Sequence, residues 1–381
     1  MRRRAQAALL ATVCLGGCVA VGPSPLPVVT STAPPVHPSG PGSSAPTLSQ
    51  GVPPAPPERV KRPGPFDGLA GWAQDDHVAA FRAFAGGCVA ARDDRLMAVC
   101  RRARALGGLD EAAARAFLEA NFRPDPEGDP GLLTAYFTPV YEARTLPEGD
   151  FTAPLRPRPA DLPRADAHGA LIYADRAAIE ARPAPDALAW MRPEDLFFLQ
   201  IQGSGVLIFP DQPPLRAVFD GSNGAPFLGL AAPMRRQGLL ADEDTSAERI
   251  RAWLVSHRGP EADRLMRLDR RYVFFRLEPD DGLEPAGASG VRLIPGRSLA
   301  VDQDHHPMGE VLWLDASAPG LSGAFPAYRR LALALDTGGA IKGEIRADLY
   351  LGRGPDAGLE AGRVRHVLKL YRLTPVEPPA S

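Results

Sequence analysis

Two aspartates, Asp336 and Asp348, stand twelve positions apart in "LALALDTGGAIKGEIRADLYLGRG", residues 331–354, with Gly338, Gly339 and Gly343 between them. A carboxyl group held beside a tight turn can act on a substrate as a general acid or base. It can equally do no more than close an ordinary β-hairpin, and the stretch alone leaves both readings open. Other chemistries lack their residues. There is no HExxH and no paired CxxC, so a zinc site has no support. His305 and His306 in "DQDHHP" read as solvated turn residues. "GRGPDAG" has no P-loop lysine and hydroxyl. Ser204 in "QGSGV" lacks the full nucleophile-elbow pattern and a histidine partner. Neither a metal nor a cofactor is expected.

The elements that position these residues follow a long preamble. "MRRRAQAALLATVCLGGC" has three arginines, then an apolar stretch too short to span a bilayer, then small residues before Cys18. That resembles a bacterial lipobox, with residues 1–17 as the leader and Cys18 as the lipidated residue; an incidental cysteine in a secreted protein is the alternative. Val19, with no aspartate after the cysteine, points to the outer membrane. Residues 18–63 are rich in Pro, Ser and Gly and read as a disordered tether.

With 381 residues and 45% hydrophobic content, the chain can bury one large core or two smaller ones. Forty-three basic against 45 acidic residues give no footprint for nucleic acid. Forty-two prolines are too many for a helical bundle. Helical periodicity covers residues 75–122, with Val78, Phe81 and Phe84 on one helix and Leu96, Val99 and Leu106 on another. Asp110 is placed to cap a helix, and Thr245 and Glu248 are spaced as a capping box. Export would allow Cys88 and Cys100 to bridge the first two helices; two buried thiols are the alternative. Elsewhere short apolar runs such as "LLTAYFTPVYEA", "DLFFLQIQGSGVLIF", "YVFFRL" and "VLWLD" argue for a mainly β barrel or sandwich.

Four stretches in order, "GLLTAYFTPVYEA", "FFLQIQGSGVLIFPD", "SGVRLIPGRSLAVD" and "LDTGGAIKGEIRADLYLGRG", resemble the MltA family of lytic transglycosylases over roughly residues 65–375. The resemblance implies a double-psi β-barrel from residues 64–139 and 272–376, its last part (about 290–373) a 3D domain. A smaller β domain, residues 140–271, would be inserted, with a glycan groove between the two. The three aspartates of the 3D domain match Asp302, Asp336 and Asp348.

That family cuts the N-acetylmuramic acid–N-acetylglucosamine bond without water, leaving a 1,6-anhydro ring. By this resemblance Asp348 is the general acid and base, and Asp336 is a supporting carboxylate; a simple turn cap is the alternative for Asp336. Asp302, Gly338, Gly339 and Gly343 would be structural. Thr134, Tyr136, Gln200, Gln202, Ser204 and Lys342 are candidates to contact the sugar; a core or turn role is the alternative for the first five, and a merely exposed lysine for Lys342. Where many members read "TGYYEP", this chain reads "TAYFTP", so Thr138 replaces an acid and Asp348 is left as the stronger candidate. The expected partners are peptidoglycan, the membrane through Cys18, and other cell-wall enzymes, with the protein itself a monomer. The alternatives are a non-catalytic peptidoglycan-binding lipoprotein and a hydrolytic muramidase.

Overall fold

The computed structural model describes residues 64–163, 173–241, 246–318 and 325–376. The leader, Cys18, the tether and Thr245 lie outside them. Helices α1 (His77–Gly87), α2 (Asp94–Leu106) and α3 (Glu111–Asn121) come first. Asp76, Asp93 and Asp110 cap them, each carboxylate accepting the N–H three residues on; such a cap is worth about 1 kcal/mol. A disulfide joins Cys88 to Cys100, with Cα atoms 5.7 Å apart. Phe81, Phe84 and Val99 face inward as their spacing predicts, whereas Leu106, in the last turn, is exposed.

Strands β1 (Phe122–Pro126) and β2 (Gly131–Thr138) follow, then β3 (Val140–Glu142), β4 (Ala153–Leu155), α4 (Arg176–Glu180), β5 (Ala189–Met191) and α5 (Pro193–Gln202). After these run β6 (Ser204–Ile208), β7 (Leu215–Ser222), α6 (Ala231–Arg236), α7 (Ala247–Ser256), α8 (Pro260–Met266) and β8 (Val273–Pro279). The chain ends with β9 (Ser298–Val301), β10 (Val311–Ser317), β11 (Ala327–Asp336), β12 (Arg346–Arg353), α9 (Gly354–Ala361) and β13 (His366–Pro375).

The pairings close a ring. β13 pairs with β10, β10 with β11, β11 with β9, β9 with β12, β12 with β2, and β2 returns to β13. Six strands therefore form a barrel, two of whose pairings, β11–β9 and β12–β2, are parallel. β1 extends the sheet along the far end of β13. Alternate residues of all six strands meet inside, among them Leu133, Leu299, Leu314, Ala332, Leu349 and Leu368. The opposite parity of β10 and β11, including Trp313, Leu331 and Leu333, packs outward against α1–α3.

A four-stranded sheet, ordered β3-β6-β7-β8, and the small β4–β5 pair make up the inserted part. β8 belongs to this sheet, which runs to Pro279, past the boundary expected at residue 272. Three local readings change. The run "DLFFLQIQ" is helix α5, not strand: Pro193 opens it, Glu194 and Asp195 occupy its first turn, and left-handed Gly203 (φ 79°) ends it. α7 is capped by Ser246, one residue after the expected Thr245. His306, expected at the surface, is fully buried, while His305 is exposed.

Candidate active site

The stretch that raised the first question is not a hairpin. β11 and β12 do not pair with each other; β9 lies between them. Ala300 of β9 is registered with Asp336 on one side and with Asp348 on the other, and Thr134 of β2 is registered with Asp348. Residues in register across a sheet point to the same face. Asp336, Ala300, Asp348 and Thr134 thus form one row on the barrel's outer face, the aspartate backbones roughly 10 Å apart at two strand spacings.

A β-bulge makes that row possible. Ala334 pairs with Leu299 and points inward, and the register then slips so that Asp336, not Leu335, meets Ala300. Continued alternation would have sent Asp336 into the barrel with Ala334; the extra residue re-aims it outward. The bulge is held from outside, since Ser289 N–H donates to Leu335 O at 3.1 Å. Ala300 supplies no more than a methyl group, leaving the carboxyls space above it.

The partners of the two acids differ. Thr134 Oγ1 donates to Asp348 Oδ1, and Arg346 Nη2 donates to Thr134 Oγ1 at 2.9 Å. Asp336 accepts from Tyr136 Oη at 2.8 Å and from Ala288 N–H at 2.9 Å. Burial pushes the Asp348 carboxyl above its ordinary range, against the hydrogen bond from Thr134 and the charge of Arg346, with the negative Asp336 adding to the rise. Burial likewise raises Asp336, while Ala288, Tyr136 and Thr337 oppose it. Tyr136 is raised by burial and by both acids, so it remains a phenol and a donor.

Around this row the other residues fall into place. Asp302, 4% exposed at the end of β9, accepts from Gly343 N–H at 2.8 Å and Lys342 Nζ at 3.0 Å. It opposes its own burial with these bonds and titrates below the usual range. Lys342 is therefore engaged with Asp302. Gly343 takes φ 108°, which favours glycine. Gln200 lies buried on α5 and donates to Val273 O at 3.2 Å, inside the inserted part. Gln202 Oε1 accepts from Phe137 N–H at 3.2 Å and so ties α5 to the end of β2. Ser204 opens β6. Thr138 and Tyr350 share a buried hydrogen bond of 2.8 Å. Arg271, just before β8, donates to Ala225 O and leaves an added Cβ on Gly339 only 3.3 Å from its guanidinium. Through Ala225 it connects Gly339, in the loop between the two aspartates, to a cleft of about 520 Å³ lined also by Tyr173, Asn223, Phe227 and Leu268.

Comparison with known proteins agrees with this fold. Residues 132–276 match the model of the MltA specific insert domain, and residues 297–374 match the 3D domain. A crystal structure of a membrane-bound lytic murein transglycosylase from Agrobacterium tumefaciens is 30% identical, with a TM-score of 0.69, over 81% of this chain and 96% of that one. The chain belongs to the MltA family. An MltA relative, membrane-bound lytic murein transglycosylase A of Escherichia coli K12, is 33% identical over 63% of this chain. The chain spans 65% of the length of that relative. E. coli MltA with bound chitohexaose superposes with a TM-score of 0.63 at 28% identity, over 80% of this chain and 89% of that one. Within this MltA-family fold, two site residues escaped the motif reading. Arg346 could have been found from its spacing, two residues before Asp348 and hence on the same strand face. Ala288 contributes only a backbone N–H, which no side-chain pattern marks.

Proposed function

We propose that the protein is a lytic transglycosylase that cleaves the β-1,4 bond between N-acetylmuramic acid and N-acetylglucosamine in peptidoglycan, with Asp348 as the single general acid and base. The observation that carries this reading is the environment of Asp348. It is a carboxyl group on a barrel strand, favoured in its protonated form by burial, and able to settle as a carboxylate on the Thr134 hydroxyl. A residue that must first give a proton and then take one needs both.

Asp348 gives its proton to the glycosidic oxygen as the bond from C1 breaks, and the N-acetylglucosamine side leaves with a hydroxyl. The muramic acid's own 6-hydroxyl then bonds to C1 and passes its proton to Asp348. No water is consumed, and the acid is restored. Because the nucleophile is part of the same sugar, its effective concentration is high and no second carboxylate is needed to activate it. Asp336 supports this economy, since both its oxygens are engaged by Tyr136 and Ala288. The chitohexaose bound by the E. coli neighbour fits a β-1,4 glycan as substrate.

Product mass tests the reading. Purified glycan strands should yield anhydro ends one water lighter than hydrolysed ends; hydrolysed ends would indicate a muramidase, and no product a binding lipoprotein. The relatives are named membrane-bound, and Cys18 is the proposed lipid anchor to the periplasmic face of the outer membrane. Cys18→Ser should move the monomeric enzyme from the membrane fraction to the soluble one without loss of glycan cleavage. Retention in the membrane fraction would count against the anchor.

A further inference from the structure

Arg346 has no part in the proton transfers set out above, yet it stands beside them. It begins β12 two residues before Asp348, so both project from the barrel's outer face. Its Nη2 donates to Thr134 Oγ1 at 2.9 Å, its Nη1 donates to Ala347 O, and Thr134 Oγ1 donates to Asp348 Oδ1. A guanidinium can only donate, and a hydroxyl has one hydrogen. With Arg346 filling an acceptor site on Thr134, the threonine hydrogen is directed to Asp348. Oδ1 of Asp348 is thus committed as an acceptor.

We propose that Arg346 is a positioning residue that acts through Thr134, fixing Asp348 Oδ1 as the acceptor so that Oδ2 carries the transferred proton. This rests on the reading of Asp348 as the catalytic acid. The charge of Arg346 also favours the carboxylate left after the first transfer, against the negative Asp336 on β11 and the burial that raises Asp348. Tyr136 of β2 and Tyr350 of β12 are further titratable groups beside this row, and β9 contributes Ala300. Arg365 faces Arg346 as a like charge.

The test titrates the Asp348 carboxyl directly, by carbon-13 NMR of aspartate-labelled protein with Asp348→Asn used for assignment, alongside the pH dependence of anhydro-product release. Arg346→Met should raise the Asp348 pKa by about one unit. The alkaline limb of kcat should move up with it, and kcat should fall about tenfold with KM little changed. Arg346→Lys keeps a donor and a charge and should restore most of both. Thr134→Val should raise the Asp348 pKa in the same direction, and should carry the test if Arg346→Met does not fold. An unchanged Asp348 titration in Arg346→Met, or in Thr134→Val, overturns the proposal. So does an Arg346→Lys variant as impaired as Arg346→Met. If the titration shifts as expected but Asp348→Asn still releases anhydro ends, the positioning stands and the catalytic role of Asp348 falls.

Discussion

Asp348 is asked to be a poor carboxylate in a protein that must also stay folded, and the two demands oppose each other. Its folded-state pKa is raised, so between the ordinary carboxylate value and that raised value the folded chain binds more protons than the unfolded chain. Stability therefore declines as pH rises through this window, and the cost is complete above it. Asp348→Asn removes the cost and keeps an oxygen that accepts from Thr134. We expect cleavage to fall by roughly 10²–10⁴-fold while the melting temperature at pH 7 rises relative to wild type. The gain should shrink at pH 4. Activity assays and melting curves at both pH values check it, and a variant that is inactive because it is less stable would contradict this account. At this scale the motif resemblance pointed to Asp348, Thr134 and Tyr136, and the strand register sets Thr134 beside Asp348. The face of Asp336 was not legible, since it depends on a bulge that only the pairing with β9 reveals.

The loop between the two acids, residues 337–345, is fastened from below as well as by Asp302. His306 lies in the turn after β9 with Nδ1 2.6 Å from Glu310 Oε2 and Nε2 2.7 Å from Glu344 O. Both ring nitrogens face oxygen partners, an arrangement that favours the doubly protonated imidazolium. Burial and the charge of Arg372 lower its pKa, but Glu310 and the Glu344 carbonyl outweigh them and the net shift is upward. Its contribution is complete below the ordinary histidine pKa near 6.5 and is lost as pH rises through the higher folded value. Amide exchange in residues 337–345, corrected for intrinsic rate, should accelerate between pH 6 and pH 9. In His306→Gln it should be fast at both. Equal protection at both pH values in the wild type would refute the fastening. The sequence hid this because adjacent histidines on a turn are usually wet, and only the close approach of residue 344 buries the second one. Helix α5 was hidden for a related reason: a short run of Leu, Phe and Ile fits a buried strand and a buried helix alike.

Across the whole molecule, the order of the motifs announced a barrel with an insertion, but not what closes it or holds its parts together. The closing contact pairs residues 131–133 with 366–368, too far apart for any local pattern to register. Asp280, just past β8, makes a second long-range tie. It accepts from Arg216 of β7 at 2.9 Å and from Arg353 of β12 at 2.6 Å, joining the inserted sheet to the strand that carries Asp348. The side chains of Asp280 and Arg216 are each 8% exposed, and Arg353 is 20% exposed. Burial would raise Asp280, but the two arginines reverse this and hold it below the usual range. Asp280→Ala would leave both guanidinium groups without this partner, although Arg216 keeps Asp281. Loss of one partner from a buried ion pair costs about 3–5 kcal/mol, and the remaining Asp281 contact places the expected loss at the lower end. Because the Asp280 pKa is depressed, its contribution is present above the ordinary carboxylate value and is lost as pH falls through the folded one. Denaturant unfolding should accordingly separate wild type from Asp280→Ala widely at pH 7 and narrowly at pH 2.5. A deficit of the same size at both pH values would mean that packing, not charge, makes the tie. Glycan cleavage at pH 7 should decline with the loss of order between β12 and the inserted sheet, and 1 M salt should not reproduce the effect, since a pair this buried is poorly screened.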